Sequence, residues 1–150
     1  MRFPFLLSLV PVLASAVMAA DLTRAVVVAP SNLSEPERKA IDLLIDAVQE
    51  RSRIRWNVSA TAAAGQPSIT IRRADAARRL PPEGYQLRAS GDRVEITGND
   101  ERGVLFGVGR LLRTLEMRRD AVTLPRDLNI TTAPKYALRG HQLGYRPKTN

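Results

Sequence analysis

Few side chains in this sequence have the chemistry of an active site. The one histidine, His141, has no cysteine and no nearby acidic pair to complete a metal site. The absence of cysteine also excludes thiolate catalysis and disulfide bonds. The Gly-x-Ser-x-Gly turn that carries the nucleophile of acyl transfer is missing as well. We therefore predict no catalytic residue, no metal and no cofactor in these 150 residues.

Two pairs of neighbouring acids remain as candidate catalytic groups, Glu35 with Glu37 and Asp100 with Glu101. A pair of carboxylates supplies the acid and the base in glycoside hydrolysis. Both pairs, however, fall in the first turn of a predicted helix, where the positive end of the helix dipole stabilises negative charge. We therefore interpret them as structural.

The longest amphipathic pattern runs from Asn99 to Met117 and predicts a helix. Asn99 is the expected N-cap, and the acidic residues after it fall in the first turn. An apolar stripe marks the side that packs on a core, and two further leucines widen it. The stripe consists of Val104, Val108, Leu111 and Leu115, and the two leucines are Leu105 and Leu112.

Gly103 and Gly107 lie four residues apart beside this stripe. Glycine inside a helix costs about 0.5–1 kcal/mol relative to alanine, so a compensating contact is expected. One interpretation is phosphate binding by Gly107-Val-Gly109, but the third glycine of that motif is missing and these glycines lie within the helix. Close approach of the helix to a sheet is the favoured interpretation.

Phe106 is predicted to point away from the stripe, on the side of the helix that carries Arg102, Arg110 and Arg113. A single exposed aromatic residue needs no explanation. The alternative hypothesis is that a second domain covers this side, with Phe106 in the interface. The helix would then be buried on both sides.

The rest of the chain predicts several strands and one more helix. Ser34-Glu-Pro-Glu37 is a capping box that starts this helix. Short runs rich in β-branched residues predict the strands, and residues 54–58 alternate as a half-buried strand through Ile54, Trp56 and Val58. The apolar positions of the helix are Ile41, Leu44, Ile45 and Val48, and the other strands are residues 25–29, 68–72, 121–124 and 127–132.

The clearest local signal is a hairpin of Tyr85–Ser90 and Arg93–Gly98 around the two-residue turn Gly91-Asp92. Its apolar and polar faces agree with a single register, in which one facing pair joins opposite charges and contributes roughly 0.2–1 kcal/mol. The facing pairs are Leu87 with Ile96, Arg88 with Glu95, Ala89 with Val94 and Ser90 with Arg93.

These elements follow the order β-α-β-β-β-β-α-β. A layer of sheet with two helices packed on it buries both amphipathic stripes. The predicted fold class is therefore α+β with a mixed β-sheet, and the length allows one domain with a core of modest size.

Residues 1–20 have the pattern of a secretion signal peptide. Arg2 supplies the positive start, and a mostly apolar stretch runs from Phe3 to Leu13. This stretch is too short to span a membrane as a stable helix. Small residues follow it, so we expect cleavage near Ala19 or Ala20, a secreted or periplasmic location and no membrane span in the mature chain.

The net charge of +8 raises the question of nucleic-acid binding. The arginines occur as scattered doublets such as Arg72-Arg73 and Arg118-Arg119, with acids between them. No aromatic residues alternate with them to stack on bases. An exported chain also rarely meets nucleic acid. We therefore predict a solvated basic surface and no nucleic-acid partner.

The segment Gly98 to Arg113, followed by Ala133-Pro-Lys-Tyr-Ala-Leu-Arg-Gly140, resembles a known pattern. It is similar to the N-terminal α/β domain that precedes the catalytic barrel of glycoside hydrolases, namely the bacterial β-N-acetylhexosaminidases of family 20 and the α-glucuronidases. The resemblance implies a non-catalytic domain over residues 21–132 that packs on a (β/α)8 barrel, with Phe106 in the interface. Residues 133–150 would be a linker and the first strand of the missing barrel.

The resemblance also implies a role for Arg139. In the hexosaminidases the matching arginine binds sugar hydroxyls, which suits its planar fork of donors. Gly144 departs from the hexosaminidase pattern, which has an aspartate there, so the sugar is left open. The parent protein would be a glycosidase acting on a glycan, and this fragment would be inactive alone. The alternative hypothesis is a self-sufficient periplasmic carbohydrate-binding module that uses arginine side chains or Trp56.

Overall fold

The computed structural model describes residues 19–125 and 127–136. Its elements run along the chain as β1 (Ala20–Asp21), β2 (Val26–Val28), α1 (Glu35–Ser52), β3 (Asn57–Ser59), β4 (Ser68–Arg73), a 3-10 turn (Ala76–Arg78), β5 (Tyr85–Ser90), β6 (Arg93–Gly98), α2 (Glu101–Thr114), β7 (Glu116–Arg118), β8 (Ala121–Leu124) and β9 (Leu128–Thr132).

Six of the strands form one mixed sheet in the order β3-β2-β4-β6-β5-β9. Strands β3, β2, β4 and β6 run parallel to one another, whereas β5 is antiparallel to both β6 and β9. The two helices pack against each other, and α2 packs on β4, β5 and β6. The predicted α+β class with two helices on a mixed sheet is confirmed.

A second sheet of three antiparallel strands, β1-β8-β7, lies beside α1 and corrects the single-sheet prediction. The helix predicted to reach Met117 ends at Thr114, because the extended backbone at Leu115 (φ −64°, ψ 134°) takes the chain out of the helix. Residues Glu116–Arg118 then pair with β8. Pairing with the next strand, across the two-residue turn Arg119-Asp120, thus overrides the helical pattern of this segment.

Helix α1 forms where its local sequence predicts it. The backbone N–H of Ser34 donates to the Glu37 carboxylate at 2.8 Å, which is one half of the predicted capping box. The helix ends at Arg53, which adopts the left-handed conformation (φ 66°) and donates its N–H to the carbonyl of Gln49. The inward residues are Ile41, Leu44, Ile45 and Val48, all buried as predicted.

Helix α2 is capped by Asp100, not by Asn99 as predicted. The Asp100 Oδ1 atom accepts the N–H of Gly103 at 2.8 Å, and its Oδ2 atom accepts the N–H of Glu83 at 2.7 Å. Asn99 instead donates its backbone N–H to the carbonyl of Gly84. Both residue types cap helices well, so the pairing of Asn99 with the neighbouring loop decides between them.

The two glycines of α2 contact their neighbours closely, as predicted. A Cβ atom on Gly103 would overlap the carbonyl oxygen of Gly84. A Cβ atom on Gly107 would lie 2.5 Å from the Cγ2 atom of Ile96, far inside van der Waals contact. The backbone of α2 therefore lies directly on the sheet, and this contact compensates for the low helix propensity of glycine.

Trp56 departs from the predicted half-buried strand. Strand β3 covers only Asn57–Ser59, Val58 is 52% exposed, and Trp56 is 2% exposed. The indole Nε1–H of Trp56 donates to the carbonyl of Leu22 at 2.9 Å. Since Leu22 also donates its N–H to Val122 of β8, this bond ties the small sheet to the large one.

Candidate docking groove on the second helix

The outward side of α2 forms one wall of a groove with a volume of about 490 Å³. The opposite wall comes from the start of β5 and the end of β9, where the chain leaves the sheet. We call this feature the α2 groove. It is lined by Glu83, Tyr85, Leu105, Phe106, Gly109, Arg113, Thr132, Ala133 and Pro134.

The floor of the α2 groove is apolar. Phe106 is half-buried and packs against the edge of the core, while Leu105 is 40% exposed. Gly109 keeps the groove open, since its position has no side chain beside these two residues. Phe106 therefore lies at the margin between core and groove, and it does not point fully away from the apolar stripe as the helical angle predicts.

Charged groups surround this floor. The Arg102 guanidinium donates to the Glu83 carboxylate at 2.6 Å, and Arg113 lies on the same side of α2. Asp100 anchors the backbone of Glu83, so the rim is fixed to the start of the helix. An apolar centre with a polar rim is the composition of protein interfaces. The groove is therefore suited to packing against another protein surface.

One acid of each pair, Glu37 and Asp100, holds a helix start in place, which agrees with the structural interpretation. Glu37 is 2% exposed, and its carboxylate accepts the Ser34 N–H and bonds Arg73 Nε at 2.9 Å. Asp100 is engaged by Gly103 and Glu83. Over residues 19–125 and 127–136, no group of three or more His, Cys, Asp or Glu side chains is placed to hold a metal ion.

Two predicted ligand-binding residues have different outcomes. Trp56 is buried with its indole N–H bonded inside the domain, so it offers no ring face for a sugar. Arg139 lies outside the described residues, as does His141, and the sugar contact of Arg139 stays a prediction. The interface role of Phe106 also stays a prediction.

The part of the chain described by the structure contains no helix long and apolar enough to cross a membrane. The predicted signal peptide falls largely outside it, since residues 1–18 are not described. Residues 137–150, which include the predicted first barrel strand, are not described either.

The fold and the groove define a small α+β domain with an apolar face beside the exit of its last strand. The family model of glycosyl hydrolase family 20, domain 2, matches residues 8–137. The chain therefore belongs to this family. The predicted resemblance to the hexosaminidase accessory domain is confirmed, whereas the resemblance to α-glucuronidases stays a prediction. No curated protein matches the chain.

Solved structures show the same fold. The chain is similar to the family 20 β-N-acetylhexosaminidase from Streptomyces coelicolor A3(2), with 22% identity and a TM-score of 0.64 over 79% of this chain and 24% of that one. It is similar to the N-acetyl-β-hexosaminidase of Streptomyces plicatus, with 23% identity and a TM-score of 0.61 over 79% and 24%. It is also similar to the chitobiase of Flavobacterium johnsoniae, with 16% identity and a TM-score of 0.62 over 82% of this chain and 20% of that one.

The chain thus spans less than a quarter of the length of these three proteins. It corresponds to one non-catalytic accessory domain of a glycoside hydrolase. This part of the predicted function is confirmed.

Proposed function

We propose that this chain is the non-catalytic accessory domain of a secreted glycoside hydrolase that degrades glycans. In this proposal the domain packs through the α2 groove on a catalytic (β/α)8 barrel that follows in the same protein. Family membership supports the accessory role. The relatives with the same fold are named as β-N-acetylhexosaminidases and a chitobiase, which supports a glycan substrate for the parent enzyme.

The position of the α2 groove is the observation that carries this proposal. Its lining includes Thr132, Ala133 and Pro134, the residues by which the chain leaves β9. A domain that follows in the chain therefore begins beside the groove and needs only a short linker to reach it. Leu105 and Phe106 supply the apolar area that such a contact would bury, at roughly 25 cal/mol per Å².

The proposal includes a role for Arg139 at the start of the barrel. A guanidinium presents several N–H donors in one plane and can bridge adjacent hydroxyls of a sugar. In the longer enzyme, Arg139→Lys is then expected to raise KM for the glycan more than it lowers kcat, because the change removes binding geometry and not the reacting groups.

The experiment begins with the DNA downstream of Asn150, where an open reading frame for a barrel is expected. A fragment that begins at residue 133, and so keeps the predicted first barrel strand, is expressed separately and titrated with residues 21–136 of this chain. Leu105→Glu is expected to weaken binding at least tenfold, because it places a charge against an apolar partner surface. Val58→Glu is the matched control, since Val58 is also exposed but lies on β3 away from the groove.

Two results would overturn the proposal. One is a stop codon with no barrel in the intact gene. The other is a barrel that binds the Leu105→Glu chain as tightly as the wild type, with both chains shown to be folded by circular dichroism.

A further inference from the structure

We propose that the open face of the six-stranded sheet binds an acidic glycan through its carboxylate or sulfate groups. The site lies on the face opposite α1 and α2 and is separate from the α2 groove. That the ligand is a glycan rests on the proposed function, whereas the anionic chemistry rests on the residues of the site alone.

The site is a concavity of about 470 Å³ between the sheet and the loop that follows β3. Strands β4, β5 and β6 form its base, and the loop forms one wall. Gln66 accepts the N–H of Ala63 through its Oε1 atom at 3.3 Å, which holds the loop in a turn beside the sheet. The concavity is lined by Ala62, Ala63, Ala64, Gln66, Ser68, Thr70, Arg88, Ser90, Arg93, Val94 and Glu95.

Two exposed arginines on adjacent strands define its charge. In the hairpin Arg88 faces Glu95, and Ser90 faces Arg93, so the two arginine side chains project from the same face as diagonal neighbours. Diagonal positions lie roughly 7–8 Å apart in a sheet, a spacing that lets two guanidinium groups reach one ligand. Bringing two like charges together is unfavourable unless a negative group lies between them.

The carboxylate expected to balance these charges is engaged elsewhere. Glu95 Oε1 accepts from Arg72 Nε at 2.8 Å and from Arg72 Nη2 at 2.6 Å. The sequence predicts a cross-strand pair of Arg88 with Glu95, and the register is confirmed, but Arg72 of β4 takes the carboxylate. Among the described residues, Arg88 and Arg93 have no acidic side chain within salt-bridge distance.

The remaining acids near this end of the hairpin do not neutralise the site. Asp127 accepts the backbone N–H of Gly91 through its Oδ1 atom at 3.1 Å, and neither Asp127 nor Asp92 lines the concavity. Arg72 binds Glu95 and also lies 3.8 Å from Asp75, whereas Arg88 and Arg93 are left without an ion-pair partner on this face in the part of the chain that the structure describes. The surplus positive charge favours an anionic ligand and disfavours a cationic one.

The uncharged lining fits a hydroxylated ligand. Thr70, Ser90 and Gln66 provide hydroxyl and amide groups that exchange hydrogen bonds with sugar hydroxyls. Among the residues that the structure describes, no aromatic side chain lines the concavity, so neither a neutral sugar nor a nucleobase finds a ring there on which to stack. Charge is therefore the main source of selectivity, and a neutral glycan is expected to bind poorly.

The test is a calorimetric titration of the 150-residue chain at physiological ionic strength, where surface charges more than about 8 Å apart are largely screened. The probes are an oligogalacturonate for carboxylate, a chondroitin sulfate oligosaccharide for sulfate, and chitohexaose as the neutral glycan. A single-stranded oligonucleotide of similar charge is the fourth probe. Binding of either acidic glycan, with weak or no binding of the other two probes, supports the proposal and shows which acidic group the site takes.

Matched double variants distinguish a built site from general basic charge. Arg88→Gln with Arg93→Gln is expected to lower affinity for the acidic glycan about tenfold, through the loss of two charge-assisted hydrogen bonds at exposed positions. Arg110→Gln with Arg118→Gln removes the same charge from exposed positions on α2 and β7 and is expected to change affinity less than threefold.

Three outcomes would overturn the inference: no binding of either acidic glycan, equal weakening by both double variants, or tighter binding of the oligonucleotide. The Arg88 and Arg93 variant is also titrated with the downstream barrel, where unchanged affinity is expected. Failure of glycan binding with intact barrel binding rejects only this site. Barrel binding by the Leu105→Glu chain tests the proposed function and leaves the inference about the glycan site unchanged.

Discussion

Helices α1 and α2 lie side by side, yet their outward sides differ. Along α1 the exposed side carries mainly charged and polar residues, with one large apolar residue, Leu43, among them. Along α2 the outward side combines Leu105 and Phe106 with the open position of Gly109, and these form the α2 groove. The outer side of α1 thus has the composition of a solvated surface, whereas that of α2 has the composition of an interface.

Their inward sides differ as well. Helix α1 has no glycine and meets the core through branched side chains such as Ile41 and Leu44. Helix α2 meets the sheet through Gly103 and Gly107, with its backbone against Gly84 and Ile96. In the proposed function, α1 completes the core and α2 connects the core to the barrel.

The largest expected effect comes from filling the close contact of α2. Gly103→Ala is expected to lower the free energy of unfolding by about 2–3 kcal/mol, because the new methyl group overlaps the Gly84 carbonyl and forces the helix away. Gly109→Ala is the control on the same helix, since its Cβ would meet only Arg113 Nη1 at 3.5 Å. That control is expected to stabilise by about 0.5–1 kcal/mol. Urea denaturation measures both, and a stabilising Gly103→Ala would refute the close packing of α2.

The helix caps give the next largest effect. Asp100→Ala is expected to cost about 1–2 kcal/mol, because Asp100 caps α2 and also accepts the N–H of Glu83. Ser34→Ala in α1 is expected to cost less, about 0.5 kcal/mol, since its Oγ atom lies 3.5 Å from the N–H of Glu37. Thermal unfolding of both variants tests this order. Asp100→Asn should recover part of the loss, and equal costs for the two alanine variants would contradict the second role of Asp100.

A smaller effect is expected from trimming the two outer faces. Phe106→Ala is expected to destabilise the isolated chain by about 1 kcal/mol, since the ring is half-buried against the core. Leu43→Ala on α1 is expected to change stability by less than about 0.5 kcal/mol, because Leu43 is 45% exposed and belongs to no core cluster. Chemical denaturation of the two variants measures both changes in stability. Equal changes would contradict the proposed difference between the outer sides of α1 and α2.

The smallest effect concerns the small sheet beside α1. Hydrogen bonds from the side chain and then the backbone of Thr23 hold the pKa of Asp21 below its ordinary value of 3.8. Because the folded pKa is the lower one, this contribution to stability is present above the unfolded pKa and is lost as pH falls through the folded pKa. Asp21→Asn should therefore remove a small part of the loss of stability that accompanies acidification. Near neutral pH, the dependence of stability on pH should stay the same. Thermal unfolding of both chains between neutral and acidic pH measures this difference. The same loss of stability at acidic pH in the variant and the wild type would contradict the prediction.

Much of the fold could be predicted because its signals are local. The capping box of Ser34 and Glu37 spans three residues, and the hairpin of β5 and β6 is set by a two-residue turn. In both cases the partners of each group lie within a few positions of the chain, so the pattern of residue types is enough to identify them.

The candidate sites were predicted less completely. The pattern of α2 indicated that Phe106 lies outside the apolar stripe, but it did not show that Gly109 and Pro134 flank the same groove. The concavity that contains Arg88 and Arg93 was not predicted, because the hairpin register suggested that Glu95 would neutralise Arg88. The signal that points to it is the like-charge pair Arg88 and Arg93 in the hairpin register, together with a second arginine, Arg72, for the same carboxylate.

The sequence by itself determined the two helices, the hairpin register and the membership of the chain in its family, because these depend on short-range spacing. Only the tertiary structure decided which residues meet over long separations. The indole of Trp56 bonds Leu22 across 34 positions, and Arg72 bonds Glu95 across 23. The buried indole N–H takes whichever acceptor the packed chain brings near, since leaving it unpaired costs about 1–3 kcal/mol. The half-buried Glu95 carboxylate binds the arginine that the neighbouring strand β4 brings beside it. That choice follows from the sheet order, which local residue patterns do not contain.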